Sequence, residues 1–194
     1  MLLNKRIIIA FDGPDNVGKG TQIARLRKWL SHIPFVLTNL DRPHGENHEQ
    51  KLRYGFAASR NHLLAKKAMW EEGLPQLVDR MHYTEYAYSI LRKGHALDDI
   101  LALEQDFLAM RDDFFTIIFL DDVKNIMHRD DGKSVYRKDD EENIKRICQR
   151  FEKIAEHSHF SNAVVSIQGK SIDEVEREVQ ELIRKRFPDI VSEV

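Results

Sequence analysis

The chain has 194 residues, 42% of them hydrophobic and 32% charged, which suits one α/β domain spanning 1–194 and leaves no need for a second. Lys plus Arg number 30 against 32 Asp plus Glu, and the net charge of -2 argues against a general nucleic-acid binder, so any phosphate site has to be local. The single cysteine, Cys148, excludes an internal disulfide framework and a cysteine-built zinc site. The apolar run near the first residue has strand length, too short for a signal segment or a membrane span, so the expectation is a cytoplasmic protein with neither membrane nor nucleic-acid partner.

Five apolar runs rich in β-branched and aromatic residues, at 6–12, 34–38, 75–79, 115–120 and 163–168, read as strands. They lack strict apolar/polar alternation, which predicts burial on both faces. Helical spacing fills the intervals at about 19–31, 48–73, 81–93, 97–112 and 139–157, and a closing helix covers 171–186. Strand then helix, repeated, predicts a five-stranded parallel sheet with helices on both faces. The polar stretch from His128 to Glu142 reads as a mobile loop running into a helix. Ligands of such a sheet gather at the carboxyl ends of its strands.

The first strand ends at Asp12, and Gly13-Pro14-Asp15-Asn16-Val17-Gly18-Lys19-Gly20-Thr21 leads into an amphipathic helix with Ile23, Leu26 and Leu30 inward. This is the phosphate-loop pattern with Gly20 where Ser or Thr is usual. Glycines let successive backbone N–H groups curl around phosphate oxygens, the helix N-terminus adds positive potential, and the lysine reaches the β and γ phosphates. Gly13, Asn16, Gly18, Lys19, Gly20 and Thr21 are therefore candidate ATP-binding residues. An ordinary Gly-rich turn is the alternative, but strand, loop and helix fall in the order a phosphate site needs. The third strand ends Asp79-Arg80, where a carboxylate can hold Mg²⁺ through water and an arginine can pair with phosphate. A surface ion pair with a helix cap is the plainer account of that dipeptide alone.

Phe11-Asp12-Gly13-Pro14-Asp15 through Thr21-Gln22, followed by Asp79-Arg80 and Tyr83-Thr84-Glu85-Tyr86-Ala87-Tyr88, resembles the thymidylate kinase family. The resemblance runs the length of the chain, and it implies a P-loop nucleoside monophosphate kinase fold with a lid at about 126–140 and a homodimeric assembly. It implies ATP and Mg²⁺ as cofactors and a deoxynucleoside monophosphate, dTMP first, as small-molecule partner. By this resemblance Lys19 serves the donor phosphates, Asp15 the sugar 3′-hydroxyl, Arg80 the acceptor phosphate, and Tyr88 lies beneath the deoxyribose. Phe56 and Arg60, four residues apart on one helix face, match the pair that stacks on the base and hydrogen-bonds its edge.

The departures from the family pattern carry consequences. Gly20 removes a metal-binding hydroxyl, and Asn16 stands where one subgroup carries an arginine, so the lid has to supply the catalytic cation from Arg129, Lys133 or Arg137. The Arg42-Pro43-His44 segment only loosely matches the family's proline loop. Glu85 replaces a neutral residue; opposite Arg60 it would favour a base presenting an acceptor beside an N–H, as thymine and guanine do. The other role open to Glu85 is to orient Arg60 or Arg80. His44, His48, His62 and His82 form no ligand set, and Cys148 sits inert in a charged helix. Two further functions stay open on sequence: a deoxynucleoside kinase, with Asp41 or Glu46 as base, and a nucleotide-binding regulatory module without turnover.

Overall fold

The computed structural model describes residues 6–40, 45–92, 94–129 and 140–191. Five parallel strands, β1 (Ile8–Asp12), β2 (Val36–Asn39), β3 (Gln76–Asp79), β4 (Phe114–Leu120) and β5 (Ser161–Ser166), lie in the order β2-β3-β1-β4-β5. Helices α1 (Lys19–Trp29), α2 (His48–Glu71), α3 (His82–Tyr88), α4 (Leu97–Gln105), α5 (Val123–His128), α6 (Glu141–His157), α7 (Ile172–Arg186) and α8 (Pro188–Val191) cover the faces. All five strands and all six long helical segments expected from the sequence are present.

Burial separates the inner strands from the outer ones. Every residue of β1 and β4 is buried, as continuous apolar runs require when both faces carry helices. The outer strands depart from the expected burial on both faces. In β2, Leu37 is 48% exposed, and in β5, Val164 is 45% exposed. An edge strand has one neighbour, and its outer flank is covered only where a helix reaches that far. Helix α6 buries Ile144, Ile147, Phe151 and Ile154, a 3-4-3 spacing that puts one stripe on the sheet. Each such side chain contributes about 1.5–3 kcal/mol by leaving water.

Two helices are shorter than their periodicity predicts. The segment expected at 81–93 is α3 followed by a 3-10 turn, Ser89–Arg92, and that expected at 97–112 is α4 followed by Leu108–Met110 in the same conformation. The first turn is closed by the Ser89 hydroxyl, which donates to the Tyr86 carbonyl at 2.8 Å and accepts from the His95 amide at 2.9 Å. A side chain that competes for backbone partners favours an end over a continuation. Periodicity missed α5 and α8, each too short for two turns of a pattern. Helix α5 is instead set by Asp122, whose carboxylate accepts from the Lys124 amide.

The strand order reverses its winding beside β1, so the carboxyl ends of β1 and β3 open a crevice. Phe11 lies opposite Asp79 in the register, and the Arg80 amide donates to the Phe11 carbonyl at 2.9 Å. The segments after Asp12 and after Asp79 thus leave the sheet side by side.

Candidate active site

The loop after β1 is shaped by residues that accept positive φ. Gly13 has φ +129°, Asn16 +65° and Gly18 +80°, and Gly18 caps the start of α1 at Lys19. At Gly13 a Cβ would stand 2.3 Å from the Phe119 carbonyl oxygen, so the loop can hug β4 only because position 13 has no side chain. Gly20 has open space around it.

Lys19 is buried and folds back over the loop, donating to the Gly13 carbonyl at 3.0 Å and to the Pro14 carbonyl. Burial, with the nearby Arg80 guanidinium, pushes its ammonium down to about 7 against the pull of Asp12, Asp15 and Asp79. A lysine so placed lies over its own loop, held by neutral oxygens that a polyanion could outcompete.

Arg80 leaves β3 with φ +71°, a left-handed conformation that costs a non-glycine residue energy and persists only where its surroundings hold it. Here they do. Its Nη2 pairs with the Asp15 carboxylate and its Nη1 lies 3.4 Å from the Gly13 carbonyl. The guanidinium also sits 5.8 Å from the Tyr88 ring, and the Asp15 amide donates to Tyr88 Oη at 2.7 Å. Lys19, Asp15, Arg80 and Tyr88, named from the sequence, therefore converge on one crevice. Asp79 joins them half-buried, and its Oδ1 is buried with no hydrogen-bond partner among the described residues, an oxygen suited to a water-borne cation.

Asp12 was given no role by the sequence, yet it organises the crevice. Wholly buried, it accepts from the Gly13 and Met81 amides at 3.0 Å each and from the Thr84 hydroxyl. Burial raises its carboxyl's pKa while Thr84, Arg80 and the two amides pull it down. It ties the start of the phosphate loop to the start of α3. The available signal was an acid ending the apolar run Ile7-Ile8-Ile9-Ala10-Phe11, immediately before Gly13.

Glu85 is 2% exposed and corrects the expectation that it faces a base or orients Arg60 or Arg80. Its oxygens accept from Arg92 Nη2 at 2.9 and 3.0 Å, and His95 Nε2 lies 3.1 Å from Oε1. The 3-10 turn after α3 brings Arg92 back over Glu85, a fold-back that uniform helical spacing would not give. Arg60 is exposed. Phe56 is half-buried and packs its ring 5.4 Å from that of His95. Gly55 is the close-packing residue: a Cβ there would fall 2.2–2.4 Å from the Glu85 carboxylate.

Arg129 is engaged by Asp121, the residue after β4, at 2.7 Å. Thr21 is exposed on α1. Arg42, Pro43, His44 and Asp41, and Lys133 and Arg137 with most of the expected lid, lie outside the described residues. Cys148 is half-buried, and burial pushes its thiol up to about 12. No described helix is long and apolar enough to cross a membrane.

No protein-family model and no curated protein sequence matches the chain. Solved structures do. A thymidylate kinase from Candida albicans, described as having broad substrate specificity, superposes with a TM-score of 0.67 at 18% identity over 92% of this chain and 91% of that one. A thymidylate kinase from Ehrlichia chaffeensis gives 0.64 at 20% identity, over 93% and 99%. With the sheet order, the phosphate loop after β1 and the arginine after β3 already in place, the fold of this chain is the P-loop nucleoside monophosphate kinase fold that thymidylate kinases adopt.

Proposed function

We propose that the chain transfers the γ-phosphoryl group of ATP to a deoxynucleoside monophosphate, with dTMP the leading acceptor. The observation that carries this reading is the Asp15–Arg80 ion pair at the mouth of the loop closed by Lys19. A second cation, oriented by a carboxylate beside a phosphate loop, is what a transfer between two anions needs and what simple nucleotide binding does not.

In this reading Lys19 leaves the Gly13 and Pro14 carbonyls for the donor phosphates, where the amides from Gly13 to Gly20 and the Thr21 hydroxyl add donors. Arg80 receives the acceptor phosphate. Asp15 holds Arg80 in line and reaches the sugar 3′-hydroxyl, with Tyr88 beneath the ring and Phe56 and Arg60 toward the base. Asp79 would hold Mg²⁺ through water; the ion's contribution is charge neutralisation on the donor phosphates. The acceptor oxygen is already ionised, so no general base is required, and rate comes from positioning and charge stabilisation. Because Arg129 is engaged by Asp121, Arg137 is the favoured lid cation. A cytoplasmic homodimer completes the proposal, its mass measurable by light scattering.

The test is coupled ADP release with dTMP and with thymidine. Turnover with the monophosphate alone supports the proposal. Turnover with thymidine would assign a nucleoside kinase, for which the described candidate base, Glu46, is an exposed residue whose amide donates to Gln50 Oε1. ATP binding without ADP release for either acceptor would leave a regulatory module and end the kinase reading.

A further inference from the structure

Away from the crevice, α4 and α6 part over a groove of about 830 Å³ that no phosphate-loop residue lines. That volume accommodates a small organic ligand. Its charge is one-sided. Arg146, Arg150 and Lys153 stand at one-turn intervals along α6, and the only carboxylate lining the groove among the described residues is Asp98. Neither Arg146 nor Lys153 is within ion-pair distance of a described acid, in a chain whose net charge is -2.

The central cation is fixed in place. The Arg150 guanidinium lies 3.9 Å above the Tyr86 ring and donates through Nη2 to the His95 carbonyl. Its Nε is buried without a hydrogen-bond partner among the described residues. Gly94 makes room for it: a Cβ there would stand 2.7 Å from Nη1. A guanidinium held against an aromatic ring and a carbonyl is ordered before any ligand arrives, so less entropy is lost on binding an oxyanion. Opposite the cations, half-buried Ile90, Leu97 and Leu101 offer an apolar floor. The groove thus pairs oxyanion recognition with hydrophobic contact.

We propose that this groove is a second ligand site that takes a small organic phosphate, the phosphate against Arg146, Arg150 and Lys153 and the apolar part over Ile90, Leu97 and Leu101. The site is separate from the phosphate-transfer crevice and does not depend on the activity proposed there. It adjoins that region through His95, whose carbonyl receives Arg150 and whose ring contacts Glu85 and Phe56.

The experiment is a titration of the full chain with phenyl phosphate, followed by backbone amide NMR, with inorganic phosphate and phenol as the two halves of the probe. Saturable shifts are expected at residues 95–101 and 146–157, with inorganic phosphate weaker by about tenfold because it leaves the apolar floor bare. Arg146→Gln with Lys153→Gln should weaken phenyl phosphate by about tenfold, both side chains being exposed and dispensable for folding, whereas Asp98→Asn should tighten it about two- to threefold. Shifts confined to 13–21 and 79–88, no saturable shift, phenol binding as well as phenyl phosphate, or affinity indifferent to these charge changes would each overturn the proposal.

Discussion

The two sides of the crevice are built by different means. On the phosphate-loop side, position is fixed by backbone: three positive φ values, the Gly13 amide directed at Asp12 and a lysine bonded to carbonyls. On the α3 side, it is fixed by buried side-chain charge, with Glu85 clamped between Arg92 and His95 under Gly55. A backbone device tolerates only a few residue types at set spacings. A charge device can be assembled from partners at many spacings, and its strength depends on water being excluded.

The contrast breaks first at Lys19. Lys19→Ala should lower kcat by about 10² to 10³, the usual loss when charge stabilisation is removed from transferring phosphates. It should leave the urea midpoint unchanged or higher, because a buried ammonium that has lost its water contributes little to folding. Near-parental kcat in the folded variant would remove Lys19 from the chemistry.

Gly55→Ala tests the other side. The new methyl would displace the Glu85 carboxylate, and the overpacking should cost about 1–3 kcal/mol. Glu85→Gln should cost a similar ~1–3 kcal/mol by leaving Arg92 short of an ionic partner. If Glu85 is the reason for glycine at 55, the double variant Gly55→Ala/Glu85→Ala will be less destabilised than the sum of its parts, as urea unfolding can measure. Strict additivity would sink that account. Both changes should weaken dTMP binding more than ATP binding, which would keep the two sides distinct.

A smaller effect follows from the lysine's protonation. With its native-state value near 7 and an unfolded value near 10.4, Lys19 binds fewer protons folded than unfolded between those limits. Its contribution to stability therefore rises as pH rises from about 7 toward 10. Polyphosphate binding pulls the other way, favouring the charged form, so ATP should bind with uptake of up to ~0.5 proton at pH 7. Calorimetry in buffers of different ionisation enthalpy reads this directly. No dependence on buffer, or proton release, would contradict it.

The smallest change is expected at Gly20. Open space surrounds it, so Gly20→Ser should alter stability by less than about 1 kcal/mol. The added hydroxyl should lower the Mg²⁺ concentration needed for half-maximal rate. An unchanged Mg²⁺ requirement would mean that position 20 does not face the ion.

These differences explain what could be read in advance. Strands and helices were legible because inner strands are continuous apolar runs and α6 and α7 keep strict apolar stripes. The phosphate loop was legible because it is a backbone device. Arg80 and Asp15 were reached through the resemblance, and their pairing needed the sheet register that sets Phe11 beside Asp79. Glu85 was misjudged for a physical reason: its partners lie seven and ten residues on, across a turn that helical periodicity carried straight through. Asp12 escaped notice because a buried strand-final acid announces itself only when its three donors are seen together. The outer strands β2 and β5 look apolar in sequence and are half-open in space, since burial there depends on what lies alongside.

Arg80 occupies a backbone conformation that glycine or asparagine adopts more readily. What folding prefers at position 80 and what the proposed acceptor-phosphate contact would require are thus different residues. A library of position-80 variants sorted for folding alone should drift toward Gly and Asn, and the same library sorted for growth on turnover should return Arg. The gap between the two enrichments would measure how much stability the molecule forgoes to keep a guanidinium at that spot.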